Sequence, residues 1–288
     1  MLGSPPVEAS ATAILLYRAE SLKVNGVSPS SRPLLWSKTL KIQKVSDVHC
    51  EWHNDMGERW ANEFPIVGDV IVLAGDVVTH HNLIKVLSRL CERAGDVDIL
   101  FVCGNHEYFG SERGKIHNKL QKLQNRYPHF HWLNNNTVRI DGRRFLGTTL
   151  WWKTPVSAVR QALEFKNLWC DATSILGYKN WINEAATKAR KFLWTETQRD
   201  DVIITHHAPS VSLWGLRRVH KEVWSDRFYF WYATMDKLIL EKAPALWLYG
   251  HTHQPVDTMI GETRIVHCPH GYVYRGPCNP NVYQIIEL

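Results

Sequence analysis

DVIVLAGDVV, residues 69–78, is a short apolar run closed by Gly75 and Asp76. A run of that length bounded by turn residues reads as a strand buried on both faces. KIQKVSDVH (41–49) upstream and DILFVCGNH (98–106) downstream repeat the theme, each a strand-like segment that ends in polar residues. Between the second and third runs, Leu83, Leu87, Leu90 and Cys91 recur at helical spacing, and Ile116, Leu120 and Leu123 do so further on. Strand and helix alternating at this spacing imply right-handed βαβ units and a largely parallel sheet. Further strands are expected at RFLGTTL (144–150), DVIITH (201–206), ALWLYG (245–250), TRIVHC (263–268) and VYQIIE (282–287).

The polar residues gather at the ends of these strands. Asp47 and His49 follow the first, Asp76 the second, and Asn105 and His106 the third; His206 and His207 end the fifth, and His251 and His253 follow the sixth. Open α/β sheets bind ligands outside the carboxyl ends of their strands, so five segments are expected to converge on one edge of one sheet. Equal intervals of 29 residues (47 to 76 and 76 to 105) match one βαβ repeat each. Singly, these motifs have ordinary explanations: Asp76 could cap a helix, and His206–His207 could be a satisfied pair at a strand end. Jointly they form a ligand set, because an H-x-H pair just past a strand can aim two imidazoles the same way. Oxygen and imidazole donors without thiolate suit Mn, Fe, Zn or similar divalent ions. Asp76, in the middle of the set, is placed to bridge two of them. Two divalent cations against two carboxylates leave a local charge of about +2, which attracts a phosphate ester. Such ions can also acidify water and steady the entering and leaving oxygens of an in-line displacement.

With 288 residues the chain can form one large domain or two small ones. Its 44% hydrophobic and 22% charged residues are those of an ordinary soluble globular protein. A net charge of +6 and a pI near 9.0 suit an anionic ligand. No run of five or more Lys/Arg occurs, so no stable nucleic-acid partner is indicated. The cysteines are scattered without a CxxC pair, several in apolar runs, which fits reduced thiols in a cytoplasmic protein. The apolar stretch Ala13 to Tyr17 is too short for a signal-peptide core or a membrane span. Residues 1–40, with SPP and SPSSRP, read as a poorly ordered N-terminal extension, and Glu8 and Glu20 argue against an acid-free transit peptide. The remainder, 41–288, reads as the catalytic domain. A Trp-rich insertion is expected at about 151–200, where Trp151, Trp152, Trp169, Trp181 and Trp194 could form a wall over a site or simply pack.

SDVH (46–49), LAGDV (73–77), CGNHEY (103–108), THHAP (205–209) and YGHTH (249–253) closely resemble, in order, the five metal-site blocks of calcineurin-like metallophosphoesterases. The resemblance spans about residues 41–288. GTTLWW (147–152), THHAPS (205–210) and RIVHCPHGY (264–272) further resemble a bacterial-type subgroup of phosphoesterases. The fold implied is α/β, a four-layer α/β/β/α sandwich of two mixed sheets. The function implied is hydrolysis of a small phosphate mono- or diester at a dinuclear metal site, with a bridging hydroxide as nucleophile. Asp47, His49, Asp76 and His253 would hold the first ion, and Asp76, Asn105, His206 and His251 the second. His106 would donate a proton to the leaving group or stabilise the transition state. Asn105, His106 and His207 would meet the substrate. Either His206 or His207 could be the ligand; His206 is chosen as the first residue after the strand.

In the protein phosphatase branch of the family, an acidic residue shortly after the GD motif orients the GNHE histidine. GDVVTHH (75–81) has none, which points away from phosphoprotein substrates. Glu107 is expected to make local hydrogen bonds, Asp69 to be structural, and Cys50 and Cys103 to be core thiols. Arg217, Arg218, His220 and Lys221 lie in a loop that could reach a substrate anion. The competing functions are a nuclease of the same fold, which would need a nucleic-acid groove, and a non-catalytic scaffold, which would have lost ligands.

Overall fold

The computed structural model describes residues 39–153, 170–216, 230–272 and 279–288. Residues 1–38, Trp169, the loop residues Arg217, Arg218, His220 and Lys221, and Cys278 lie outside them.

The run that opens the chain's pattern is β2 (Val70–Leu73), buried at every position. It pairs in parallel with β1 (Lys41–Val45) on one side and β3 (Asp98–Phe101) on the other. β4 (Phe130–Trp132) extends the sheet in parallel beyond β3, and β11 (Gln284–Glu287) closes the other edge antiparallel to β1. Leu40 continues this last pairing through reciprocal backbone bonds with Leu288 and is itself buried. A second sheet has the order β5 (Asn136–Ile140), β6 (Arg143–Thr148), β7 (Val202–Thr205), β8 (Leu246–Tyr249), β10 (Thr263–His267), β9 (Val256–Ile260). Its four middle strands are parallel and both edge strands antiparallel.

Strand alternation sets the layers. Ile42, Val70, Val72, Leu100 and Val102 face Phe145, Val202, Ile204, Leu246, Leu248 and Val266 in one apolar cluster between the two sheets. The intervening residues, Val45, Ile71, Leu73, Ile99 and Phe101, point the opposite way. They pack against α1 (Glu58–Glu63), α2 (Leu83–Ala94) and α3 (Arg113–Arg126). Leu83, Val86, Leu87, Leu90 and Cys91 form the buried stripe of α2, as the helical spacing requires. On the far side of the second sheet, Ile203, Trp247 and Ile265 meet Leu238 and Ile239 of α6 (Asp236–Lys242). Ala189 and Leu193 of α5 (Ile182–Glu196) join them there. The result is the α/β/β/α sandwich of two mixed sheets.

The eight anticipated strands are present, and three were not anticipated. β4, β5 and β9 are all edge strands, and their outward residues are partly exposed, so they carry no unbroken apolar run. A larger correction concerns the single sheet. The chain splits its parallel strands between two sheets because the strands are buried on both faces, and a second sheet is what covers the inner face of the first.

Candidate metal centre

β1, β2 and β3 of one sheet and β7 and β8 of the other end side by side, and the polar segments that follow them meet there. Thus the expected convergence occurs across the seam of two sheets.

Local backbone geometry at this seam is costly. Asp47, His49, Asp76, His251 and His253 all adopt positive φ, between 49° and 73°, and make up half of the ten non-glycine residues that do so among the described residues. Such conformations cost about 1–3 kcal/mol each and persist where surroundings over-determine them. Here the surroundings are backbone bonds between loops: Asp47 N–H to Gly75 O, His49 N–H to Asp76 O and Cys50 N–H to Val77 O. Glycine precedes the key residues because nothing larger fits. A Cβ on Gly104 would stand 2.1 Å from Asp76 Oδ1, and one on Gly75, itself at φ +84°, would stand 2.4 Å from His206 Nδ1.

Glu107 ties two of these loops together. It is fully buried and accepts the backbone N–H groups of Asp76, Val77, Val78 and Gly104 at 2.6–3.3 Å. Those are the local hydrogen bonds anticipated for it.

The donor atoms fall into overlapping groups, each within 4.8 Å: Asp47, His49 and His253; His49, Asp76 and His106; and Asp76, His206 and His251. Asp76 is common to two of them. His49 Nε2 and His253 Nε2 converge to 3.0 Å, and Asp47 Oδ1 lies 3.5 Å from His253 Nε2. On the other side His206 Nε2 is 3.3 Å from Asp76 Oδ2 and 3.0 Å from Asn105 Oδ1.

Outer partners decide which atom each residue presents. His206 donates Nδ1–H to Ala74 O at 2.9 Å and so turns Nε2 inward. His251 donates Nε2–H to Phe230 O, leaving Nδ1. Asn105 gives its Nδ2–H to the buried Asp171 in α4 (Cys170–Ser174) at 2.8 Å, which turns its carbonyl oxygen toward His206. Asp47 Oδ2 accepts from Ser46 Oγ at 2.5 Å and His267 Nε2 at 3.1 Å.

The field of the site is negative. Burial opposes charge on Asp47 and Asp76, yet the surrounding histidines hold both carboxyl groups well below the usual range. Burial likewise pulls His206 down, but the Asp76 and Asp47 carboxylates outweigh it and raise the ring to about 9, the same field that attracts a cation. His207, its sequence neighbour, is pushed down to about 3 by burial and by His206. It is fully buried against His251 and Trp151, with ring centroids at 4.3 and 5.2 Å. Its Nδ1 is bonded to Thr149 O, and its Nε2 has no partner among the described residues.

His106 sits at the edge of the cluster, Nε2 4.0 Å from Asp76 Oδ2 and ring stacked on Phe109 at 4.1 Å. Burial would lower it, but Asp76 and Glu51 raise it to about 9. Glu51 Oε1 lies 2.6 Å from its Nδ1. A carboxylate therefore does stand beside His106, supplied by the turn after D-x-H, so its absence from GDVVTHH no longer points away from phosphoprotein substrates. Sequence reading missed Glu51, Asp171, His267 and Ser46: Glu51 and Asp171 are single residues outside any block, and what Glu51, Asp171 and His267 do depends on contacts between distant segments. His267 and Ser46 do fall within quoted motifs.

Half-exposed rings border the cluster: Phe109 on His106, Trp231 near His251 at 5.0 Å, and Tyr272 stacked on His49 and His253 at 4.5 and 4.3 Å. Trp151 and Trp152 are buried, packed with Tyr178, Trp181 and Phe230.

A family model described as calcineurin-like phosphoesterase matches residues 40–255. The chain belongs to the calcineurin-like phosphoesterase family. An uncharacterized protein of Acanthamoeba polyphaga mimivirus is 24% identical over 277 residues, covering 85% of this chain and 96% of the viral protein. The phosphopantetheinyl hydrolase of Mycobacterium tuberculosis superposes with a TM-score of 0.64 at 15% identity, over 85% of this chain and 95% of that one. The TT1561 protein of Thermus thermophilus does so with a TM-score of 0.50 at 12% identity, over 83% and 92%. These two likenesses are of fold. This calcineurin-like phosphoesterase thus carries its His/Asp clusters, which can hold metal ions, at the strand ends of the family's sandwich. Among the described residues no helix is long and apolar enough to cross a membrane.

Proposed function

We propose that this protein is a dinuclear metal-dependent hydrolase of small phosphate mono- or diesters. The observation that carries the reading is the chain of donor groups: Asp76 lies with His206 and His251 and also with His49, and His49 in turn lies with Asp47 and His253. Asp47, His49, Asp76 and His253 would hold one ion, and Asp76, Asn105, His206 and His251 the other. The donors fit divalent transition ions: they are carboxylate, amide oxygen and imidazole, with second-ring nitrogens bonded outward in His206 and His251. Two such ions, when bound, supply an activated water and neutralise the phosphoryl oxygens.

The chain's own residues do the rest. Asp76 would contribute to holding both ions, its Oδ2 facing His49, His106 and His206 while its Oδ1 accepts the His106 N–H. His106, with Nδ1 engaged by Glu51, keeps Nε2 for the leaving oxygen and donates a proton there. Asn105 and His207 complete the substrate side. The unpartnered buried Nε2 of His207, an acceptor because Nδ1–H is given to Thr149 O, is costly on its own and is relieved by a donor such as a water or a substrate hydroxyl. The half-exposed Phe109, Trp231 and Tyr272 rings favour an ester with a small organic group. Burial of the Cys91 and Cys103 thiols fits a reducing, cytoplasmic setting.

The test is metal content, with turnover on a panel of monoesters, diesters, nucleotides and phosphopeptides under several divalent metals. Close to two ions per chain and activity on small esters that chelators abolish are expected. Asp76→Ala should deplete both ions. Full occupancy in that variant removes the bridging role, and a wild-type protein that binds metal yet hydrolyses no ester leaves the scaffold reading.

A further inference from the structure

We infer that Glu51 is the positioning carboxylate of this site, one oxygen of which holds both the His106 and the His49 rings by their Nδ1 atoms. The inference rests on reading His106 as proton donor and His49 as ligand, and it adds the residue that sets both.

Glu51 Oε1 lies 2.6 Å from His106 Nδ1 and 3.0 Å from His49 Nδ1. A carboxylate oxygen carries no hydrogen, so both nitrogens must donate to it. Each ring then presents its Nε2 to the cluster. For His49 that atom is 3.0 Å from His253 Nε2 and 3.8 Å from Asp76 Oδ2. For His106 it is 4.0 Å from Asp76 Oδ2. The two rings meet edge to face with centroids 4.3 Å apart.

The backbone explains why this carboxylate is placed here. His49 stands at φ 49°, and the short turn Cys50–Trp52 that follows doubles the chain back. His49 and Cys50 are pinned to the carbonyls of Asp76 and Val77. Glu51 is thus held against the GD loop from outside it, with its Oε1 beside His106 Nδ1. The Glu51 side chain is mostly buried, and its Oε2 has no partner among the described residues. Burying a carboxylate with one oxygen unpartnered is unfavourable for stability alone, and the two imidazole N–H groups are what offset it.

Glu51→Gln keeps the shape and removes the charge and one acceptor site. In metal-free protein, side-chain 15N–1H spectra should show the Nδ1–H resonances of His49 and His106 in the wild type, shifted or lost in Glu51→Gln. Calorimetric Mn2+ affinity should fall about 10- to 100-fold, the usual effect of removing an outer partner. In the loaded enzyme kcat should fall more on alkyl than on nitrophenyl phosphates, with KM little changed. Unchanged Mn2+ affinity and unchanged Nδ1–H resonances in the variant would overturn the inference. So would lost Mn2+ binding with both resonances intact, which would make Glu51 a direct ligand. Should Glu51→Gln unfold, Glu51→Asp, one methylene shorter, is read by the same measures and the same outcomes. A wild-type protein without esterase activity would remove the proposed reaction, while spectra and calorimetry would still judge Glu51.

Discussion

Asp47 Oδ1 accepts the backbone N–H of His251 at 2.7 Å, joining residues 204 apart in the chain. Asp47 follows β1 of the first sheet and His251 follows β8 of the second, so this bond crosses the seam on which the site is built. The other Asp47 oxygen holds Ser46 and His267. Asp47→Ala therefore strands a buried N–H and a buried imidazole as well as removing a candidate ligand. Denaturant unfolding of the metal-free variant should show a loss of about 2–5 kcal/mol. A loss below about 0.5 kcal/mol would mean that the clasp contributes nothing to the fold.

Gly104→Ala tests the close approach between the GNHE and GD loops. The added methyl would overlap Asp76 Oδ1 and also come within 2.7 Å of the Asp76 backbone nitrogen. Asp76 cannot withdraw, because its Oδ1 accepts the His106 N–H at 2.9 Å and its N–H is held by Glu107. The variant should either unfold or bind metal at least about 10-fold more weakly, as expected when an oriented ligand is displaced. Wild-type affinity measured by calorimetry would show that the loops have slack that the structure does not display.

Glu107→Gln isolates the pin between the GD and GNHE loops. Gln offers one acceptor oxygen where Glu offers two, and its NH2 would face backbone N–H donors. At least two of the four bonds must break, so a stability loss of about 2 kcal/mol or more is expected. Equilibrium unfolding gives the number; a value near zero would move the pinning role to the neighbouring backbone bonds.

The strands that carry the site were legible because they are buried on both faces, and burial forces apolar residues onto every position. The three missed strands lie at sheet edges, where one face is wet and the pattern weakens. Candidate donors could be read from the chain because Asp47, Asp76, Asn105, His206 and His251 each end or follow a strand. What holds the donors could not be so read. Glu51, Asp171 and His267 act across 55, 66 and 220 residues of chain, a pairing that only the packed sheets create. For the same reason the carboxylate beside His106 went unseen where the GD segment alone was considered.

His106 provides the sharpest test of the chemistry. Its neighbour Asn105 turns an oxygen toward His206, whereas His106 Nε2 remains 4.0 Å from the nearest Asp76 oxygen and its ring is held by Glu51 and Phe109. A protonated ring there can donate to the departing oxygen, a role typically worth ~100- to 10,000-fold in rate. The need depends on the leaving group: an alkoxide requires the proton, whereas a nitrophenolate leaves with little help. His106→Ala should therefore keep both metals, lose most of its turnover on alkyl esters and lose less on nitrophenyl esters. His206→Ala should instead lose metal and fail on both. Equal losses on the two ester types, with metals retained, would assign His106 to stabilising the transition-state charge. Its donor atom also falls within reach of His49 and Asp76, so metal analysis of the same variant decides the remaining possibility: a missing ion would make His106 itself a ligand.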